Sequence, residues 1–132
     1  MMFTDVILDY YRNPQNKGVI EGADIHARDT NPLCGDVLEI TATVEDGAFK
    51  ELKFSGNGCA ISQAAASMLC EHLAGKPVED AKRLTKDDIL KLLSIPISPV
   101  RLKCALLGLK VLKMGAYEHL GMQLSRDEAE TL

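Results

Sequence analysis

The stretch VLEITATVE, residues 37–45, leads through Asp46-Gly47 into FKELKFS, residues 49–55, and its reading decides the fold. Leu38, Ile40, Ala42 and Val44 fall on one side of an extended chain, and Glu39, Thr41, Thr43 and Glu45 on the other. That period of two marks a strand with one buried face. Asp-Gly supplies the backbone a tight hairpin needs, so FKELKFS returns antiparallel. Upstream, ADIHARD, residues 23–29, reads as an edge strand and completes a small three-stranded antiparallel sheet.

Outward from the sheet the pattern turns helical. Residues 60–74, AISQAAASMLCEHLA, are rich in helix formers and stop at Gly75-Lys76-Pro77. PVEDAKRL, residues 77–84, and TKDDILKLLS, residues 85–94, fit two short helices. The second has Thr85 as cap and Asp88 in a weaker form of the capping box. Pro96 and Pro99 bracket a turn, and a long helix follows from Pro99 to Leu120. Its apolar stripe is Val100, Cys104, Leu107, Val111 and Met114, with Lys103, Lys110 and Lys113 opposite. Before the sheet, TDVILDYYR, residues 4–12, predicts a helix with Thr4 as N-cap and Asn13-Pro14 as stop. Val6, Ile7 and Tyr10 form its buried stripe. The expected fold is α+β, with helices packed on one face of the sheet and a long C-terminal helix.

An apolar fraction of 46% and a charged fraction of 26% over 132 residues suit one globular domain, residues 1–132. Residues 121–132 are polar and expected to fray. Fifteen Lys and Arg against nineteen Asp and Glu give −4, which argues against a sequence-independent nucleic-acid binder. No run is long enough for a membrane helix. Asp5 and Asp9 stand where a signal peptide would be positive, so a cytoplasmic location is expected.

The cysteines are Cys34, Cys59, Cys70 and Cys104. A reducing compartment disfavours disulfides, and no CxxC pair is present. Any shared site must therefore be assembled from distant segments. In NPLCGD, residues 31–36, Gly35 lets the chain bend so that Cys34 and Asp36 can converge, and zinc accepts both donors. A buried Cys beside a turn-capping Asp is the plain alternative. In SGNGCAIS, residues 55–62, Gly56 and Gly58 bare the backbone just before a helix that starts near Cys59. A helix N-terminus favours thiolate, which suits a metal ligand or a sulfur nucleophile. The same loop could cradle phosphate, but it is short and lacks the GKS/T of a P-loop.

In PVRLKCALLG, residues 99–108, Cys104 lies on the apolar stripe, where core packing is the plain reading. Arg101 and Lys103 flank it. Were Cys34, Asp36, Cys59 and Cys104 to hold one zinc ion, the site would keep two net negative charges, which nearby cations would offset. Cys70 lies roughly 16 Å along the helix from Cys59, too far to share a metal, so packing is its expected role. His26, His72 and His119 show no ligand spacing.

Taken together, YRNPQNKG, CGD, the glycine-cysteine loop and the last cysteine helix resemble the U-type iron–sulfur assembly family: IscU, the NifU N-terminal domain and SufU. GNGCAISQAAASM and RLKCALLGLKVL look like the SufU branch. IscU places a histidine where this chain has Lys103, and its chaperone-recognition stretch is only partly echoed by residues 97–101. SufU proteins carry an insertion between their second and third cysteine motifs, whereas residues 60–103 have an IscU-like length.

The resemblance implies a metal site of Cys34, Asp36, Cys59 and Cys104, filled by zinc in resting SufU. It implies Cys34 as acceptor of sulfur from a pyridoxal-phosphate cysteine desulfurase and Arg101 in docking and activation by that partner; Lys103 is expected to compensate charge at such a site. In the scaffold branch the same ligands hold a nascent [2Fe–2S] cluster, later handed to cluster carriers or apo-proteins. Neither branch implies nucleic acid or membrane as a partner. A purely structural zinc domain is a remote third reading. A hydrolytic zinc enzyme is disfavoured, because three thiolates leave a weak Lewis acid with no open position.

Overall fold

The computed structural model describes residues 3–13, 16–31, 35–94 and 96–121, and only the backbone of residues 3–6 and 100. Its elements in order are α1 (Phe3–Arg12), β1 (Ile25–Asn31), β2 (Asp36–Glu45), β3 (Ala48–Asn57), α2 (Ala60–Leu73), α3 (Glu79–Arg83), α4 (Lys86–Leu93) and α5 (Pro99–His119). The sheet is antiparallel in the order β1-β2-β3. The hairpin turns at Asp46-Gly47, both with positive φ, as the Asp-Gly pair predicts. Leu38, Ile40 and Ala42 are buried on the helix-facing side together with Leu52 and Phe54 of β3.

Two details of β2 depart from strict alternation. A register shift between Thr43 and Val44 leaves Val44 half-buried rather than in the core. Thr41, on the polar side of the alternation, is buried, because the chain before β1 crosses that face and the Ile20 N–H donates to Thr41 Oγ1 at 3.0 Å. The same segment pairs with the outer edge of β3, where Gly18 N–H donates to Phe54 O and Phe54 N–H to Asn16 O. That edge is thus partly covered rather than left as a template for another strand.

Helices α2 and α5 lie against the sheet, α5 on β1 and β2 and α2 on β3, and they pack on one another. Their central position corrects the single-stripe reading of α5. Cys104, Leu107 and Val111 are buried as expected, but so are Ala105, Leu106, Leu109, Leu112 and Ala116, while Met114 is half-buried. A helix covered by a sheet on one side and by α2, α3 and α4 on others needs apolar residues on most of its circumference. Gly115 lets α5 approach β1, since a Cβ there would stand 2.6 Å from Ile25 Cγ2.

Helix boundaries shift by a residue or two. α1 begins at Phe3, which places Thr4 inside the first turn rather than at the N-cap, and α3 is shorter than PVEDAKRL suggested. Ile7 is buried and Tyr10 half-buried; the side chain of Val6 lies outside the described residues. Tyr10 Oη donates to Glu71 Oε2 at 2.7 Å and ties α1 to α2. Thr85 and Asp88 form a complete reciprocal capping box on α4. The expected fraying of 121–132 falls on residues that, past Gly121, lie outside the described ones.

Lys110 Nζ of α5 meets Asp29 Oδ2 of β1 at 2.8 Å. Burial pushes the Asp29 carboxyl up, but hydrogen bonds from Lys110 and from the Thr30 N–H outweigh it and hold it below the usual value. A lowered folded-state pKa means stability that is present above the unfolded value and lost as pH falls through the folded one. Asp29→Asn is expected to cost up to about 1 kcal/mol at neutral pH and to flatten the acid limb of stability. Urea titrations of both proteins at neutral pH and below about pH 4 check this.

Candidate metal centre

Antiparallel pairing carries three loop ends to one end of the sheet. Asn31, the last residue of β1, faces Asp36, the first of β2, and Val37 faces Asn57 at the end of β3. Helix α2 begins three residues later, at Ala60, and Cys104 lies in the second turn of α5. The chain leaves β1 at Asn31 and enters β2 at Asp36; Gly35, just before it, has φ +71° and donates its N–H to Asn31 O at 2.8 Å. Cys34 lies outside the described residues.

Glycine at 56 and at 58 is a steric requirement. Gly56 has φ +126°, and a Cβ there would fall on the Val37 carbonyl, so only a bare backbone passes β2 so closely. A Cβ on Gly58 would meet Ser62 Oγ and stand 2.9 Å from Asp36 Oδ1. With that space open, the Cys59 N–H donates to Asp36 Oδ1 at 3.1 Å, and Cys59 Sγ lies 3.9 Å from Asp36 Oδ2. Cys59 is the N-cap residue of α2 but makes no side-chain cap, so its sulfur is left for the site. Ser62 Oγ instead donates to Cys59 O at 3.0 Å.

Asp36, Cys59 and Cys104 come together, one donor atom from each lying within 4.8 Å of the others. Asp36 is 2% exposed, Cys104 1%, and Cys59 is half-buried. Zinc–sulfur bonds of about 2.3 Å imply sulfur–sulfur edges of roughly 3.8 Å in a tetrahedron. The three donors need to close by about an ångström at most. The donor chemistry thus fits a borderline-soft divalent ion.

The other predicted residues fall elsewhere. Arg101 and Lys103 are exposed on the early turns of α5, both just before Cys104 in sequence, and are not among the grouped donors. Cys70 is buried in the core, and burial, with a smaller push from Glu71, raises its thiol to about 12. His26 pairs with Glu39 at 2.9 Å, His72 lies beside Lys76, and His119 is exposed, so none approaches the donors.

Two polar neighbours were not singled out in the sequence. Asn31 Nδ2 donates to Cys104 Sγ at 3.8 Å, and Gln63, one turn along α2 from Cys59, has a buried Nε2 without a partner. Inward-facing polar residues at an element's end and on a buried helix were the available signal.

With the geometry in place, comparison with known proteins is direct. The family model for the NifU-like N-terminal domain matches residues 2–125. The chain is 34% identical over 137 aligned residues to the zinc-dependent sulfurtransferase SufU of Bacillus subtilis, covering 91% of this chain and 92% of that one. It is 33% identical to the iron–sulfur cluster assembly scaffold protein IscU of Aquifex aeolicus, covering 98% and 83%. A crystal structure described as a SUF-system iron–sulfur cluster assembly scaffold, SufU, from Fervidobacterium islandicum superposes with a TM-score of 0.71 at 26% identity, over 85% and 94% of the two chains.

Exposure and thiol chemistry separate the cysteines. In metal-free native protein at about pH 8, iodoacetamide is expected to modify Cys59 and to leave Cys70 untouched until urea unfolds the chain. Peptide mass spectrometry reads the sites. Modification of Cys70 in the native state would contradict its placement in the core.

Proposed function

The chain belongs to the NifU-like N-terminal domain family, in the iron–sulfur cluster assembly group of SufU and IscU, and from that premise we propose that it accepts persulfide sulfur at a zinc site of Cys34, Asp36, Cys59 and Cys104. The donor would be a pyridoxal-phosphate-dependent cysteine desulfurase. One observation carries the proposal: the buried convergence of Asp36, Cys59 and Cys104 at the end of the sheet where Gly35 links Asp36 to Cys34. Bound zinc supplies positive charge that keeps ligand thiols deprotonated.

Cys34 is the acceptor. Its thiolate attacks the outer sulfur of the desulfurase persulfide, a sulfur–sulfur bond forms on Cys34, and the desulfurase thiolate leaves. The exchange balances without an oxidant or reductant. Asp36 and Cys104, both buried, would help hold the ion, whose positive charge would favour the Cys34 thiolate. Exposed Arg101 serves partner docking and activation, and Lys103 offsets the negative charge of the ligand set. The chain acts as one domain, residues 1–132, in the cytoplasm. Among the described residues no helix is long and apolar enough to cross a membrane.

A second reading is a scaffold on which a labile [2Fe–2S] cluster is built on the same ligands and handed to carriers or apo-proteins. The short path from α2 to α5, through α3 and α4 alone, favours it. Asp36, a harder donor than the cysteines, would keep such a cargo labile. The iron–sulfur chemistry needs the same three thiolates, so ligand loss alone does not separate the readings.

Alanine production by the desulfurase separates them. In reductant without iron, zinc-loaded protein is expected to raise turnover severalfold, and Cys34→Ala to abolish the rise. No rise, followed by anaerobic assembly of a cluster on the chain, would overturn sulfur acceptance in favour of the scaffold.

A further inference from the structure

We propose that Asn31 is a positioning residue for Cys104, donating an N–H···S hydrogen bond that sets how strongly that sulfur binds the metal. This rests on Cys104 being a ligand, as proposed above. Along β1 the inward positions are Ile25, Ala27 and Asn31, with Asp29 half-buried between them. The alternation would place an apolar side chain at 31, facing the helix layer. A carboxamide stands there instead, 6% exposed, with Nδ2 3.8 Å from the sulfur of Cys104.

Burying an amide is costly unless its N–H groups find acceptors. A thiol sulfur repays that cost poorly, whereas a thiolate is a much better acceptor, because a charged partner roughly doubles a hydrogen bond's strength. The contact is therefore better matched to the ligating state of Cys104 than to the free thiol. An amide donor also draws electron density from the sulfur, as outer-shell donors do at thiolate metal sites. It relieves part of the excess negative charge without adding an ionisable group. Asn31 pairs with Asp36 across the β1–β2 ladder, so one backbone register places both the donor to Cys104 and the carboxylate ligand.

The direct test uses the intact protein, isotope-labelled and loaded with NMR-active cadmium in place of zinc. The expected result is a scalar coupling between the metal and one Asn31 Nδ2 proton, transmitted through the N–H···S bond. Asn31→Leu is expected to bind zinc about tenfold more weakly, the low end for outer-shell partners. With cobalt substituted, it is expected to move the sulfur-to-cobalt charge-transfer band to lower energy. A merely structural role for Asn31 would give no coupling and leave the band in place.

A cadmium signal characteristic of thiolate ligation and sensitive to Cys104→Ser, but with no coupling to Asn31, overturns the Asn31 role alone. A signal insensitive to Cys104→Ser overturns the ligand set and this proposal with it. The coupling is read in unaltered protein, so the test stands even if Asn31→Leu fails to fold.

Discussion

The carboxylate of Asp36, almost wholly removed from solvent, is the group around which this end of the molecule is arranged. One oxygen takes the Cys59 N–H at the start of α2, and the other faces the Cys59 sulfur. The positive end of the α2 peptide dipoles stabilises charge there, so helix and carboxylate fix one another's position. One glycine of the loop follows from this contact and the other from the passage of β3 past β2. Gly56 lets β3 pass the Val37 carbonyl, and Gly58 leaves room for the carboxylate against the helix. Cys104 reaches the same place only because α5 lies flat on β1 and β2, an approach that Gly115 makes possible.

A rigid frame around a polar site has a chemical use. Asp36 and Cys104 are held by the sheet and by a helix buried on most of its circumference, so their donors do not have to be ordered when a metal arrives. Cys59, half-buried, sits at the boundary between that frame and solvent. A donor set with fixed inner members and a more accessible outer side suits the metal binding and sulfur exchange proposed for it.

Much of this was legible in the sequence because its signals were local. The period of two in residues 37–45, Asp46-Gly47 and the helix stop at Gly75 each report a neighbourhood of a few residues, and the structure follows them. Three of the four proposed ligands stood out by the turn and glycine context around each cysteine motif. What the sequence hid was long-range. Thr41 is buried by a segment some twenty residues upstream, and α5 is apolar nearly all round because several elements cover it. Nothing local to Asn31 reports its partner Cys104, which is 73 positions away.

The proposed centre is one ligand set closing around one ion, and X-ray absorption at the zinc edge of the loaded protein tests it most directly. It predicts three sulfurs at about 2.3 Å and one oxygen at about 2.0 Å, the shell that Cys34, Cys59, Cys104 and Asp36 supply. A shell made only of nitrogen and oxygen, or one of four sulfurs, would contradict it.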